Sequence, residues 1–311
     1  MDSIRFCCKR RRQGRVYVRG RLLLTSAVGL TLLVFCSSLF SCQGMAGVFA
    51  AQNEGQENVG VRLEPERWLN SDALTSESKI QFRVDNVSRF IKNERENQFR
   101  SSTVFCDGMA YDFVGDNGEI VVYSFALRKF ALIDPIRRIC TEIDEAEIDR
   151  FLERIKSIIR EKRDGFASFM TQPEFEISEK NDETFFQSKW IDYHITSKPF
   201  DDEQVADLYF RFCDAMGKLN VYMNPGVVTP LARIEANRRF AERSLFPERV
   251  SADIYPKGKT IFTKTVQIDS VASLSRRLSE RDRNRINRAI QFGAQFTVVS
   301  FKTYIEKTNQ R

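Results

Sequence analysis

Val104-Phe105-Cys106-Asp107-Gly108-Met109-Ala110-Tyr111-Asp112-Phe113 decides the fold. Two apolar runs flank Asp107-Gly108. Both residues of that pair tolerate positive φ, so a two-residue link between such runs is a strong hairpin signal. Beyond it, Met109, Tyr111 and Phe113 recur at every second position, the period of a strand. Upstream, Ile80, Phe82 and Val84 alternate in the same way. Downstream, Asp116-Asn117-Gly118 makes a turn and the stretch from Glu119 to Ser124 is rich in Ile and Val. Lys129 to Ile133 is a further strand, Asp134-Pro135 opens a turn, and Arg138 to Ile143 closes the set. Short strands at this spacing predict an antiparallel β-meander over 79–143.

Helix follows at once. Asp144 with Glu147 forms a capping-box pattern. Ile148, Phe151, Leu152, Ile155, Ile158 and Ile159 fall on one face at helical spacing, to about residue 163. Three more strands are expected around Phe175, Phe185 and Trp190 to Thr196. The part from 201 to 305 reads as helix-rich. Asp201 with Gln204 makes a second capping box, and Val205, Leu208, Tyr209, Phe212, Met216 and Leu219 form an amphipathic stripe. Asn224-Pro225-Gly226 breaks it, and Pro230 sits near the start of another helix reaching about Arg243. Pro256-Lys257-Gly258 separates two strands, the second ending near Ile268. A last helix is predicted near 280–293, capped by Ser279 and Asp282, with a closing strand over Val298 to Ile305. The fold class is α+β: an antiparallel meander or curved sheet covered by amphipathic helices. The folded domain spans about 70–305.

The N-terminus sets the address. Arg5, Lys9, Arg10, Arg11, Arg12, Arg15, Arg19 and Arg21 are opposed only by Asp2, and residues 22–51 carry no charge. Residues 1–21 read as a basic stretch kept in the cytoplasm and 22–50 as a transmembrane or signal segment. A membrane or signal helix thus precedes the domain, which is placed outside the cytoplasm. Two readings stand side by side. One is a signal cut between Ala50 and Ala51, after the small-x-small pattern Val48-Phe49-Ala50. The other is an uncut anchor crossing the membrane through 22–42. Leu39-Phe40-Ser41-Cys42 is similar to the bacterial lipobox and makes Cys42 a candidate for lipidation. Phe40 departs from that pattern, and the competing reading of Cys42 is a small hydrophobe in an apolar run. Residues 51–69 form a polar tether.

Charge excludes one class of partner. Of the 48 Lys and Arg, eight lie in residues 1–50, against one of the 42 acids. The overall +6 is therefore a topological signal, and the remainder is close to neutral. No nucleic-acid footprint is present, because neutralising phosphates needs a clustered basic surface. The mature part keeps Cys106, Cys140 and Cys213. Cys106 and Cys140 both fall on strands and could pair in an oxidising compartment. The favoured expectation is three buried thiols.

Catalytic signatures are sparse. His194 is the single histidine, which excludes sites needing two. It lies opposite Ile191, Tyr193 and Ile195 on its strand and reads as a surface residue. Asp144-Glu145 and Asp201-Asp202-Glu203 sit at helix starts, where carboxylates complement the dipole. No phosphate-cradling glycine loop occurs and no cofactor is implied.

The aromatics Tyr111, Phe113, Tyr123, Phe125 and Phe130 come from successive strands. They read first as sheet core under the helix after Asp144. The functional reading makes Tyr111, Phe113, Tyr123 and Phe130 the lining of an apolar ligand site, with Phe151 and Ile155 facing the sheet from a lid. Cys106-Asp107-Gly108-Met109-Ala110-Tyr111-Asp112, with Arg128-Lys129-Phe130-Ala131-Leu132-Ile133-Asp134-Pro135, resembles an uncharacterised family of exported bacterial proteins. Asn220 to Arg249 looks similar to that family too. The Asp-Gly-x-x-Tyr-Asp hairpin is also distantly similar to LolA-like lipoprotein carriers, over about a tenth of the chain. That resemblance implies a curved antiparallel sheet lined by helices around an apolar cavity.

Three functions are weighed. The first is a non-catalytic envelope component, exported or membrane-anchored, either binding or structural, with an apolar ligand or an envelope protein as its partner. The second is an extracytoplasmic hydrolase working with carboxylates alone. The third is a LolA-like carrier of an apolar ligand.

Overall fold

The computed structural model describes residues 79–92, 95–115, 118–162, 165–224, 229–255, 257–259 and 266–308. The expected membrane or signal segment, Cys42, Ala50, Ala51 and the expected tether over 51–69 lie outside them. No helix among the described residues is long and apolar enough to cross a membrane.

The meander runs through β1 (Phe82–Lys92), β2 (Arg95–Cys106), β3 (Met109–Val114), β4 (Ile120–Ser124), β5 (Lys129–Asp134) and β6 (Ile139–Asp144). Helices α1 (Glu145–Lys162) and α2 (Gly165–Thr171) follow, then β7 (Glu176–Lys180), β8 (Glu183–Gln187) and β9 (Ile191–Pro199). Helices α3 (Glu203–Met223) and α4 (Thr229–Ala241) precede the long strands β10 (Leu245–Ile254) and β11 (Val266–Ser275). The chain ends in α5 (Glu280–Gln295), β12 (Thr297–Val298) and α6 (Phe301–Thr308). All twelve strands form one curved, unclosed sheet in the order β12-β6-β5-β4-β3-β2-β1-β11-β10-β9-β8-β7. Neighbours are antiparallel except β12 beside β6. The α+β class and the antiparallel sheet follow the sequence reading.

Local chemistry accounts for the elements. Asp107 and Gly108 have φ of 56° and 70°, so the tight hairpin forms where the Asp-Gly pair placed it. Asp202 caps α3 by accepting from the Gln204 backbone N–H at 2.9 Å, one residue later than the Asp201–Gln204 pattern implied. Ser279 and Asp282 form the reciprocal capping box of α5.

Burial divides the sheet into two regions. β9 alternates buried and half-buried residues along its length, the mark of a strand covered on one face. β3 to β5 are buried on both faces. Their inner face carries Ala110, Val121, Tyr123, Phe130 and Leu132 and packs with residues of α1 and α3 in one large core. Their outer face carries Met109, Tyr111, Phe113, Ile120, Val122, Ala131 and Ile133 and packs against Ile286 and Ala289 of α5. Arg83 on β1 donates to Asp282 at 2.9 Å and ties the start of α5 to the sheet.

Two expectations need correction. Val298 to Ile305 is not a strand. β12 stops at Val298, and α6 begins at Phe301 because the Ser300 hydroxyl accepts from the Thr303 backbone N–H at 3.2 Å, an N-cap. The strand expected to end near Ile268 instead starts at Val266 and continues to Ser275, zipped to β1 along its length. The two strands expected on either side of Pro256-Lys257-Gly258 are among the longest in the sheet.

Candidate functional site

The four aromatics proposed to line one cavity do not share a face. Tyr123 pairs across the ladder with Ala110, not Tyr111, so it stands on the opposite side from Tyr111 and Phe113. Phe130 pairs with Tyr123 and joins it on the inner face. Tyr111 and Phe113 point at α5, where the Arg285 guanidinium lies 4.1 Å from the Phe113 ring centre. Phe151 and Ile155 of α1 do face the sheet, fully buried. Cys106, Cys140 and Cys213 are buried free thiols. Burial pushes the first two up to about 12, which keeps them unreactive near neutral pH. His194 is part-exposed, stacked on Phe185 at 4.5 Å with Nε2 3.2 Å from Glu183. Among the described residues, no group of three or more His, Cys, Asp or Glu could hold a metal ion.

Two polar clusters interrupt the inner core. The first centres on Glu145, the first residue of α1 and only 5 % exposed. Its Oε2 accepts from the Tyr123 hydroxyl at 2.8 Å and Arg128 Nε at 3.0 Å, and its Oε1 accepts from Lys218 Nζ at 3.2 Å. Lys218 also donates to Asp149 at 2.9 Å. Burial alone would push the Glu145 carboxyl up. The hydrogen bonds from Arg128 and Tyr123 and the charge of Lys218 outweigh it and hold the pKa at about 2. Every acceptor is committed to joining β4, α1 and α3. A carboxylate bonded at both oxygens and held at so low a pKa is a weak general base.

The second cluster lies between α3, α4 and β9. Arg233 and Asn237 are one turn apart on α4, and Tyr209, Cys213 and Asp214 come from α3. Gly217 permits the approach of these helices, since a Cβ there would meet Ile234 side-chain carbons at 3.2 Å. Arg233 is 8 % exposed, and its guanidinium carbon sits 5.7 Å from the ring centre of Tyr193, itself 1 % exposed. Phe175 and Phe186 surround the same ring at 5.8 and 6.4 Å. Arg233 Nη1, the Tyr193 hydroxyl and Asp214 Oδ1 are buried without a hydrogen-bond partner. No described carboxylate forms an ion pair with Arg233.

The electrostatics match this isolation. Burial lowers the Arg233 pKa, countered by the nearby Tyr193, Tyr209, Cys213 and Asp214. Burial raises the Asp214 carboxyl to about 6, against a hydrogen bond from Asn237 and the charges of Lys218 and Arg233. The negative charge of Glu145 adds to the rise.

Sequence reading passed over this cluster. Tyr193 reads as part of the apolar face of its strand, and nothing in the sequence reading singles out Arg233 or Asp214. A signal existed: Arg233 shares a helical face with Ala236, Asn237 and Phe240, all buried, so its spacing placed a cation on an apolar stripe.

Comparison with known proteins finds no matching family model and no matching curated protein. Among solved structures the chain is similar to a LolA superfamily protein from Nitrosomonas europaea, with a TM-score of 0.24 and 8% identity over 71% of this chain and 96% of that one.

Proposed function

We propose that the protein is a non-catalytic binding component of a cell envelope, holding an apolar or amphiphilic guest between its helices and the inner face of its sheet. The observation that supports this is the trio of unpartnered polar atoms on Arg233, Tyr193 and Asp214 inside an aromatic core. Native interiors pair nearly all buried polar groups, and an unpaired cluster is where a water, ion or ligand belongs. The rings around Tyr193 are apolar and the unpaired polar groups few, a composition that small-molecule sites share. The guest therefore sits near β9, α3 and α4, not at the Tyr111–Phe113 face. The carboxylate-hydrolase reading is weaker, because Glu145 is held by three donors.

The protein taken from its own membranes and extracted with organic solvent is expected to release about one lipid-class molecule per chain by mass spectrometry. A chain that yields none, and that also fails to take up a fluorescent apolar probe, removes this function.

The envelope address rests on the basic 1–21 stretch followed by the uncharged 22–51. A reporter active only in the cytoplasm, fused after Arg311, should stay dark. N-terminal sequencing then separates cleavage after Ala50 from a retained anchor, and mass spectrometry detects a lipid on Cys42. A bright reporter sinks the topology.

A further inference from the structure

We propose that Arg233 and Tyr193 bind the singly charged carboxylate head of a long-chain amphiphile, whose chain lies along the rings around Tyr193. This deepens the binding reading above and rests on it.

Three features of the geometry carry the assignment. A guanidinium offers a planar fork of donors matched to a carboxylate, and here Nη1 lacks a partner in the protein. The Tyr193 hydroxyl supplies a second buried donor that lacks a partner in the protein. The remaining surroundings are apolar: Phe175 and Phe186 flank Tyr193, and Phe186 contacts Phe240 of α4 at 6.1 Å. A buried guanidinium whose Nη1 lacks a partner in the protein is costly, and an anionic guest that accepts from it offsets that cost.

Charge sets the valence of the head. Arg233 is the one cation inside the cluster. Lys218, the nearest further base on α3, is engaged by Glu145 and Asp149. Asp214 lies beside the guanidinium with Oδ1 unpaired and repels a second negative charge. Once Asp214 is protonated, one guanidinium neutralises one carboxylate, whereas a phosphate monoester would still leave an excess charge in an apolar interior. The acidic groups facing the site are Asp214 on α3 and, at longer range, Glu145 on α1. Tyr209 and Cys213 are buried and stay neutral, their pKa values raised well above the ordinary range. Below about pH 6, Asp214 takes up a proton and its repulsion disappears, so dodecanoate should bind more tightly at pH 5.5 than at pH 7.5.

The test compares dodecanoate, dodecan-1-ol and dodecyl phosphate, each below its micelle concentration, by titration calorimetry on the delipidated full chain. Dodecanoate should bind at least tenfold more tightly than the alcohol and than the phosphate. Arg233→Met should erase the preference for dodecanoate over the alcohol, because it removes the charge that distinguishes the two heads. Tyr193→Phe keeps the ring and should weaken dodecanoate alone by roughly threefold to tenfold, the effect of one lost hydrogen bond to a charged group. It serves as the measurement if Arg233→Met does not fold. Equal binding of acid and alcohol overturns the head-group assignment and leaves the binding function standing. Tighter binding of the phosphate overturns the assignment of a single charge. Binding of none of the three removes both the assignment and the function it rests on.

Discussion

Phe105→Ala is expected to lower the unfolding free energy by about 3–5 kcal/mol, the range for emptying a large aromatic site in a packed core. Phe105 is 1 % exposed. It stacks on Phe82 of β1 at 4.0 Å, meets Phe212 of α3 edge-on at 5.4 Å, and contacts Phe125 at 6.3 Å. One ring therefore joins two strands, the turn after β4 and the longest helix. Neighbours on a sheet cannot collapse into the void as readily as a loop can, so the upper part of the range is expected. Ile136→Ala is the control. That side chain is 63 % exposed in a turn, and its loss should change stability by less than about 0.5 kcal/mol. Equilibrium urea unfolding measures both. A Phe105→Ala midpoint as close to the parent as that of Ile136→Ala would refute the packing account.

The second large effect belongs to Glu145. Its folded pKa of about 2 lies below the ordinary value of 4.5. The native state thus releases this proton more readily than the unfolded chain does. The resulting stabilisation is complete above about pH 4.5 and is lost as the pH falls toward 2. A shift of this size corresponds to roughly 3 kcal/mol. Glu145→Gln keeps the shape and removes the charge, so it should cost about 2–3 kcal/mol at pH 7 by taking away the buried counter-charge that Lys218 and Arg128 share. The loss should shrink steadily below pH 4.5, where the parent loses the same interaction. Urea midpoints measured from pH 7 to pH 2.5 decide the matter: parallel curves for parent and variant would mean that Glu145 does not carry the acid sensitivity.

Much of the fold is legible wherever a single rule governs a stretch. Asp107-Gly108 has one comfortable conformation and duly makes the hairpin. Ile191, Tyr193 and Ile195 point inward because β9 is covered on one side only. Legibility fails where two faces are both apolar. In β3 to β5 the alternation carries no information about direction, and the side taken by Tyr123 is set by its register opposite Ala110. No single sequence displays that register, so Tyr111 and Phe113 were grouped with the wrong partners. β1 and β2 run far past the apolar signal at Val84 because their inner positions include small polar residues. Asn86 and Ser88 are buried there, and Ser88 shares a hydrogen bond with Ser270 of β11 at 2.6 Å. Polarity hid the strand. The candidate site was hidden in the opposite way, by a charge that looked like surface and proved to be inside.

The pairing of β1 with β11 also has a temporal meaning. Val87 lies beside Val271, and the two are separated by most of the described chain. Sheet contacts so distant in sequence form slowly, because a long loop must close before any of them is gained. While the polypeptide emerges from N-terminus to C-terminus, the meander can assemble by local hairpins, but β1 stays an open strand edge until residues 266–275 arrive. An edge of eleven residues with half its side chains apolar or small is a template for the wrong partner. The molecule is therefore most vulnerable to aggregation late in synthesis, and a chain truncated before Val266 should be far more prone to it than one truncated after Ser275.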